Sequence, residues 1–386
     1  LGESSSFAAS LERLLSDIKA VVDDPRVGLE LVTAFFRLDG AIFECCDDSS
    51  GSIGDVFVYD ASLLFAHFAS QLEDKDLLAE QVLDLALSDE YGVRGDLLKH
   101  SAAFLPEMVM RDMVARLWSM AEKESGSYLR GSMYSLIESL ATQLNDPSLF
   151  ERVKIKAHPE PNARSCLDIA KAHFASGQAD IALAWVERIP PSDIFHAYDR
   201  DKLLLDIYAW LGTKEKLAEV AWKRFRSHRD FVTLLELLDV VGNKQRDAIL
   251  AAEVRAILED ASFSAVDAAF LANLGLTSEL ECYLLKRSGL LNGDDYVSLL
   301  PLAEYMAKES CALAASLIHR VLLESILGRG VSRFYHHGVR YLKILDAIAT
   351  SVSDWKDFAP HTAYLAEIRK AHGRKSSFWS RYEQKS

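Results

Sequence analysis

The sequence predicts an all-α chain: an α-solenoid of antiparallel helical hairpins behind an N-terminal helical lobe. Three observations carry that expectation. Apolar residues recur at helical spacing, the residues between those runs are helix-capping types, and four glycines of the second half (Gly177, Gly212, Gly242 and Gly275) stand 35, 30 and 33 residues apart.

The elements follow in order. Leu11, Leu14, Leu15, Ile18, Val21 and Val22 fall on one helical stripe and predict the first helix. Val56-Phe-Val-Tyr is the best strand candidate. Ser52 and Asp55, however, read as a capping box, and Val56, Tyr59, Leu63, Leu64 and His67 then share one face, which favours a helix. Val109, Met113, Leu117 and Met120 predict another helix, and His158-Pro-Glu-Pro-Asn marks a boundary. Beyond it, each spaced glycine follows one apolar helix and precedes the next. Leu250, Val254, Ile257 and Leu258 form a further stripe, and Ser264 opens a helix that Gly275 closes. Ser278 opens the next, closed at Gly289. Tyr341, Leu342, Leu345 and Ile348 are expected in the core, with Phe378 and Trp379 pinning the C-terminus. The domains expected are an acidic helical lobe over 1–157, helical repeats over 162–300, and a C-terminal helical cap with a basic tail over 301–386.

Composition narrows the class. The chain has 386 residues, 49% hydrophobic and 26% charged, too apolar for a disordered chain. No apolar run reaches the roughly 18 residues of a membrane span, so no membrane association is expected. Five cysteines make no disulfide scaffold, and no Asn-x-Ser/Thr triplet occurs. Both favour a cytoplasmic location. No signal peptide is visible, and residues 1–6 read as a frayed start, where a longer natural chain was cut or became ordered. The net charge of −14 argues against a uniformly basic nucleic-acid coat. That charge is polarised. Residues 1–100 hold 20 Asp/Glu against 7 Lys/Arg, a net of −13, whereas residues 310–386 hold 12 Lys/Arg against 6 Asp/Glu, a net of +6.

Catalytic signatures fail in turn. The chain has no Gly-x-Ser-x-Gly elbow, no His-Glu-x-x-His and no Cys-x-x-Cys. Gly328-Arg-Gly lacks the third glycine of a dinucleotide loop. No catalytic residue, metal or cofactor is therefore expected. Cys45 and Cys46 read as buried residues at a helix end. The oxygen-rich residues 47–55 miss EF-hand spacing and read as a capped turn. Residues 89–94 (Asp-Glu-Tyr-Gly-Val-Arg) offer Tyr91 and Arg94 to a partner, or else end a helix, with Tyr91 packed and Arg94 paired to an acid. In the tail, basic and aromatic residues interleave: Arg333, Tyr335, His336, Arg340, Arg369, Lys370, Arg374 and Lys375 are the candidate contacts. The adjacent His336 and His337 point about 100° apart on a helix and do not suit one metal.

Residues 167–191 look like a tetratricopeptide repeat, with Ala170 and Ala182 at the small positions, His173 at the usual tyrosine position and Gly177 at the turn. The other units match that repeat poorly. Residues 47–57, 89–94, 325–329 leading to Tyr335 and Arg340-Tyr-Leu, and best of all residues 364–379, resemble an uncharacterised bacterial family of all-helical domains of unknown function. Relatives of that family occur in some SWIM zinc-finger proteins. The resemblance implies a helical fold and, commonly, a basic N-terminal extension. It implies no activity, and no zinc-binding cysteine pattern stands here.

Three functions are expected in descending order. The first is a non-catalytic scaffold that binds a protein or peptide partner. The second is a nucleic-acid-associated regulator using the basic tail. The third is an enzyme with a cleft between lobes.

Overall fold

The computed structural model describes residues 2–384, and every regular element among them is helical. The chain divides into two compact units, Leu1–Thr213 and Lys214–Ser386. Among the described residues no helix is long and apolar enough to cross a membrane.

The first unit opens with α1 (Gly2–Val21), α2 (Pro25–Phe36), α3 (Asp39–Cys45) and α4 (Ser52–Asp55). Helix α1 buries Ala8, Leu11 and Leu15. Leu14 and Val21 of the expected stripe face solvent, so only part of that apolar face meets a neighbour. Asp24 caps α2 by accepting from the Arg26 amide at 2.9 Å, with Pro25 in the first turn. Gly28 lets α2 close on the Phe68 ring, which an added Cβ would approach to 2.5 Å.

The capping box expected at Ser52 and Asp55 does not form. Gly51 takes the cap position with φ 74°, and the Asp48 carboxylate, further back, accepts from the amides of Ile53 (2.9 Å) and Gly54 (2.8 Å). The next turn, Val56–Ala61, is π-helical and leads into α5 (Ser62–Ser70). Its extra residue rotates everything downstream. Val56, Phe57, Ala61, Leu64 and Phe65 are buried, whereas Tyr59 and Leu63 are 60% and 57% exposed. The expected single face is therefore split. Phe57 anchors an aromatic cluster, 4.7 Å from Phe35 and 6.1 Å from Phe36 between ring centroids.

Helix α6 (Lys75–Leu87) is followed by a 3-10 segment, Gly95–Ala103, then α7 (Glu107–Lys123), α8 (Ser127–Gln143) and α9 (Pro147–Ala157). The unit ends with α10 (Ala163–Ala175), α11 (Ala179–Val186) and α12 (Ala197–Leu211). The expected boundary near 158–162 falls inside this unit. Its prolines stop one helix and Asn162 caps the next, but the flanking helices are tied together. Glu151 of α9 lies 2.6 Å from His173 Nε2 and accepts from Trp185 Nε1 at 3.1 Å, while His173 Nδ1 lies 2.7 Å from Gln178 Oε1. Helices α10 and α11 form a hairpin turning at Gly177 (φ 77°), with Ala170 and Ala182 fully buried.

The second unit comprises α13 (Lys214–His228), α14 (Phe231–Val241), α15 (Arg246–Glu259), α16 (Ala265–Asn273), α17 (Thr277–Lys286), α18 (Tyr296–Lys308), α19 (Ala312–Arg329), α20 (Tyr335–Ala349), α21 (His361–His372) and α22 (Ser376–Glu383). Asp230 and Thr233 close a capping box on α14. Ser264 caps α16 as expected. Helix α17 starts at Thr277 without a side-chain cap, so Ser278 does not play that part.

Charged side chains hold this unit as much as apolar ones. Glu253, 3% exposed, accepts from Arg226 and Arg229, and Arg229 also pairs with Asp267. Arg287 lies over the Tyr283 ring and donates to the carbonyls of Leu258, Asp260 and Ser262, supplying a positive charge at the carboxyl end of α15. Helix α19 is apolar on nearly every side and lies buried between α18 and α20. Tyr341, Leu342 and Leu345 are buried. Phe378 is fully enclosed, and the Trp379 indole donates to the His372 carbonyl at 2.9 Å.

Candidate functional site

A wide concavity lies in the first unit. It is a groove of about 1350 Å³, walled by the end of α6, residues 89–96, the end of α7, the first three turns of α8 and the end of α9. Its construction begins at residues 89–94. The Asp89 carboxylate accepts from four successive amides, Gly92 (2.8 Å), Val93 (3.1 Å), Arg94 (3.0 Å) and Gly95 (2.8 Å). Gly92, at φ 78°, allows the chain to curl round it.

Arg94 then locks the loop from behind. Its Nε donates to Asp39 Oδ2 at 2.7 Å, its Nη2 donates to Asp39 Oδ1, and its Nη1 donates to Ser88 Oγ at 3.0 Å. The hydrogen bond it donates to Asp39 raises the guanidinium pKa above its ordinary value, with burial opposing. Tyr91 stacks on Phe43 at 5.1 Å while 41% of it stays exposed. Arg94 is thus an anchor of the groove wall, not a contact presented to a partner.

The opposite wall carries exposed apolar side chains. Tyr128 and Leu129, in the first turn of α8, are 75% and 50% exposed, and Met120 of α7 is 41% exposed. Helix α8 has Gly126 at its cap position and no acid in its first turn, and the Glu124 carboxylate just before it accepts from the Gly126 amide at 2.7 Å. Arg130, Lys156 and His158 line the same end. A neighbouring cavity of about 810 Å³ shares Glu122 and contains Arg152 over the Trp118 ring at 4.9 Å. Tyr128 and Leu129 were not singled out from the sequence. They sit where they could continue the stripe of Met133, Leu136 and Leu140, and nothing local says that the first turn projects beyond its neighbours.

The tail residues are not gathered into a comparable site. Tyr335 is buried and packs edge-on against Phe378 at 5.8 Å, so it is core. Arg333, His336, Arg340, Lys370 and Arg374 are exposed. Arg369 pairs with Glu383 at 2.8 Å and lies over Trp379, and the half-buried Lys375 Nζ lies close to Gly330. Tyr341, Phe378 and Trp379 are packed inside as expected, and Tyr335, a candidate contact, is packed with them. His336 and His337 do not diverge as expected: their rings stack at 3.9 Å. Burial lowers the pKa of His337, helped by His336 and Arg340.

Two further expectations change or resolve. Cys45 is exposed and Cys46 half-buried rather than enclosed. Residues 47–55 form a capped turn whose acids are spent on Ser49, Ile53 and Gly54. Among the described residues no three His, Cys, Asp or Glu side chains gather as metal ligands would.

The sequence model of one protein family matches residues 3–154 and, again, residues 136–381. The chain belongs to the family of unknown function DUF6880. No curated protein and no solved structure matches it. Within this DUF6880 chain both matched segments reach the groove: its loop wall and residues 127–135 of α8 lie in the first alone, Leu136, Glu138 and Ser139 in both, and Lys156 and Ala157 in the second alone.

Proposed function

We propose that the chain is a non-catalytic helical-repeat scaffold, an α-solenoid of tetratricopeptide-like hairpins working in the cytoplasm, and that it holds a protein or peptide partner. The single observation that carries this reading is the groove beside α8. It is concave and built on helices, and it exposes a tyrosine, a leucine and a methionine within a polar rim. Exposed aromatic and methionine side chains in such a setting are what partner-binding surfaces use. The hairpin at Gly177 and the glycine spacing beyond it support the repeat reading.

A photo-crosslinking amino acid at Gly131 tests it. That position lines the groove and has open space around its Cα. The same probe at the exposed Glu12, on α1, is the control. A discrete protein adduct from the Gly131 probe alone supports the reading, provided that Tyr128→Ala removes it. Equal labelling from both positions, or none from either, overturns it.

A further inference from the structure

We infer that the groove selects a segment pairing acidic side chains with a large apolar one. This rests on the groove being the docking surface. The argument starts from which wall charges are already engaged. Asp89 is saturated by its four amides, Asp96 pairs with Lys99 at 2.6 Å, Glu138 pairs with Lys154 at 2.7 Å, and Glu122 accepts from the Trp118 indole at 3.0 Å. The cations opposite are differently placed. Lys156 is exposed and, among the described residues, forms no ion pair, and the exposed His158 lines the same end. Arg130 spends only Nη1, on the Glu124 carbonyl at 3.3 Å. The first turn of α8 carries no acid of its own, and the Glu124 carboxylate just before it is engaged by the Gly126 amide at 2.7 Å.

An incoming carboxylate therefore meets Lys156 and Arg130, neither of which is held in an ion pair among the described residues. Tyr128, Leu129 and Met120 lie along the same wall for an apolar side chain. The acidic charge of residues 1–100, −13 in sum, repels such a segment at long range. At physiological ionic strength the Debye length is about 8 Å, so side chains in direct contact decide the outcome.

The test uses the full chain and three synthetic peptides of one length, read by fluorescence anisotropy. One alternates Glu with Phe and Leu, one replaces Glu by Gln, and one replaces Glu by Lys. The acidic peptide is expected to bind best, and the Arg130→Glu, Lys156→Glu double variant to weaken it about tenfold or more. Lys156→Gln, a milder change at an exposed position, is expected to give a smaller loss in the same direction. Two results overturn the inference while leaving the docking groove standing. The Gln or Lys peptide binds as tightly and is lost in Tyr128→Ala, or the acidic peptide binds through Tyr128 but ignores both charge variants. Failure of all three peptides also overturns it, and the crosslinking experiment then decides separately whether the groove docks anything.

Discussion

Replacing Arg94 by Met tests how the groove wall is held. The Arg94 and Asp39 side chains are 12% and 1% exposed, and 55 positions separate them in the chain. The substitution removes both hydrogen bonds to the Asp39 carboxylate and the contact with Ser88. Asp39 keeps only the Gly40 amide, at 2.6 Å. Breaking one side of a buried pair strands a charge, and such losses run at about 3–5 kcal/mol. Asp39→Asn in the same background removes the stranded charge. The double variant is therefore expected to be less unstable than the two single losses added together, by about 2 kcal/mol. Urea unfolding of the whole chain is the assay, followed by circular dichroism and by hydrogen exchange at residues 88–95. Exchange there should rise first, since Asp89 and Arg94 hold the loop together. A loss under about 1 kcal/mol for Arg94→Met, or strict additivity in the cycle, would refute the reasoning.

Two further perturbations probe the second unit. Burial, with Arg340 adding to it, lowers His319 from an ordinary 6.5 to about 4, and its Nδ1 has no hydrogen-bond partner. The unfolded chain therefore takes up this proton first. Stability should be unaffected by His319 above about pH 6.5, fall by about 3 kcal/mol as pH drops towards 4, and level off below. Urea midpoints of His319→Phe should lack that slope, and parallel pH profiles for the two proteins would sink the idea. Gly293→Ala should destabilise by about 1–3 kcal/mol, because the new Cβ would run into the Val321 carbonyl and come 2.7 Å from Ser325 Cβ. Gly131→Ala, inside α8 with open space around it, should stabilise by about 0.5–1 kcal/mol. Equal melting temperatures for these two variants would contradict the packing described.

Much of the fold was legible because helices are written locally. Asn162 and Ser264 cap helices through amides three residues away, and Gly177, Gly212, Gly242 and Gly275 all adopt the positive φ their spacing suggested. Tyr341, Leu342 and Leu345 stand four residues or fewer apart and are buried as a stripe should be. The groove was much less legible. Residues 89–94 were legible as a loop with Arg94 paired to an acid, though not which acid, Asp39 on α3, and Tyr128 and Leu129 were not singled out at all.

The amino-acid order by itself determined that this chain is helical, where several of its interhelical turns fall, and that its charge is polarised. Those properties rest on hydrogen bonds and side-chain spacings within one or two turns. Only the tertiary structure decided that a π-helical turn sends Tyr59 and Leu63 to solvent, that Tyr335 is core, and that the first turn of α8 stands open over a groove. Each depends on which neighbour covers a given face. Coverage is set by contacts between distant segments, and no periodicity along the chain records it.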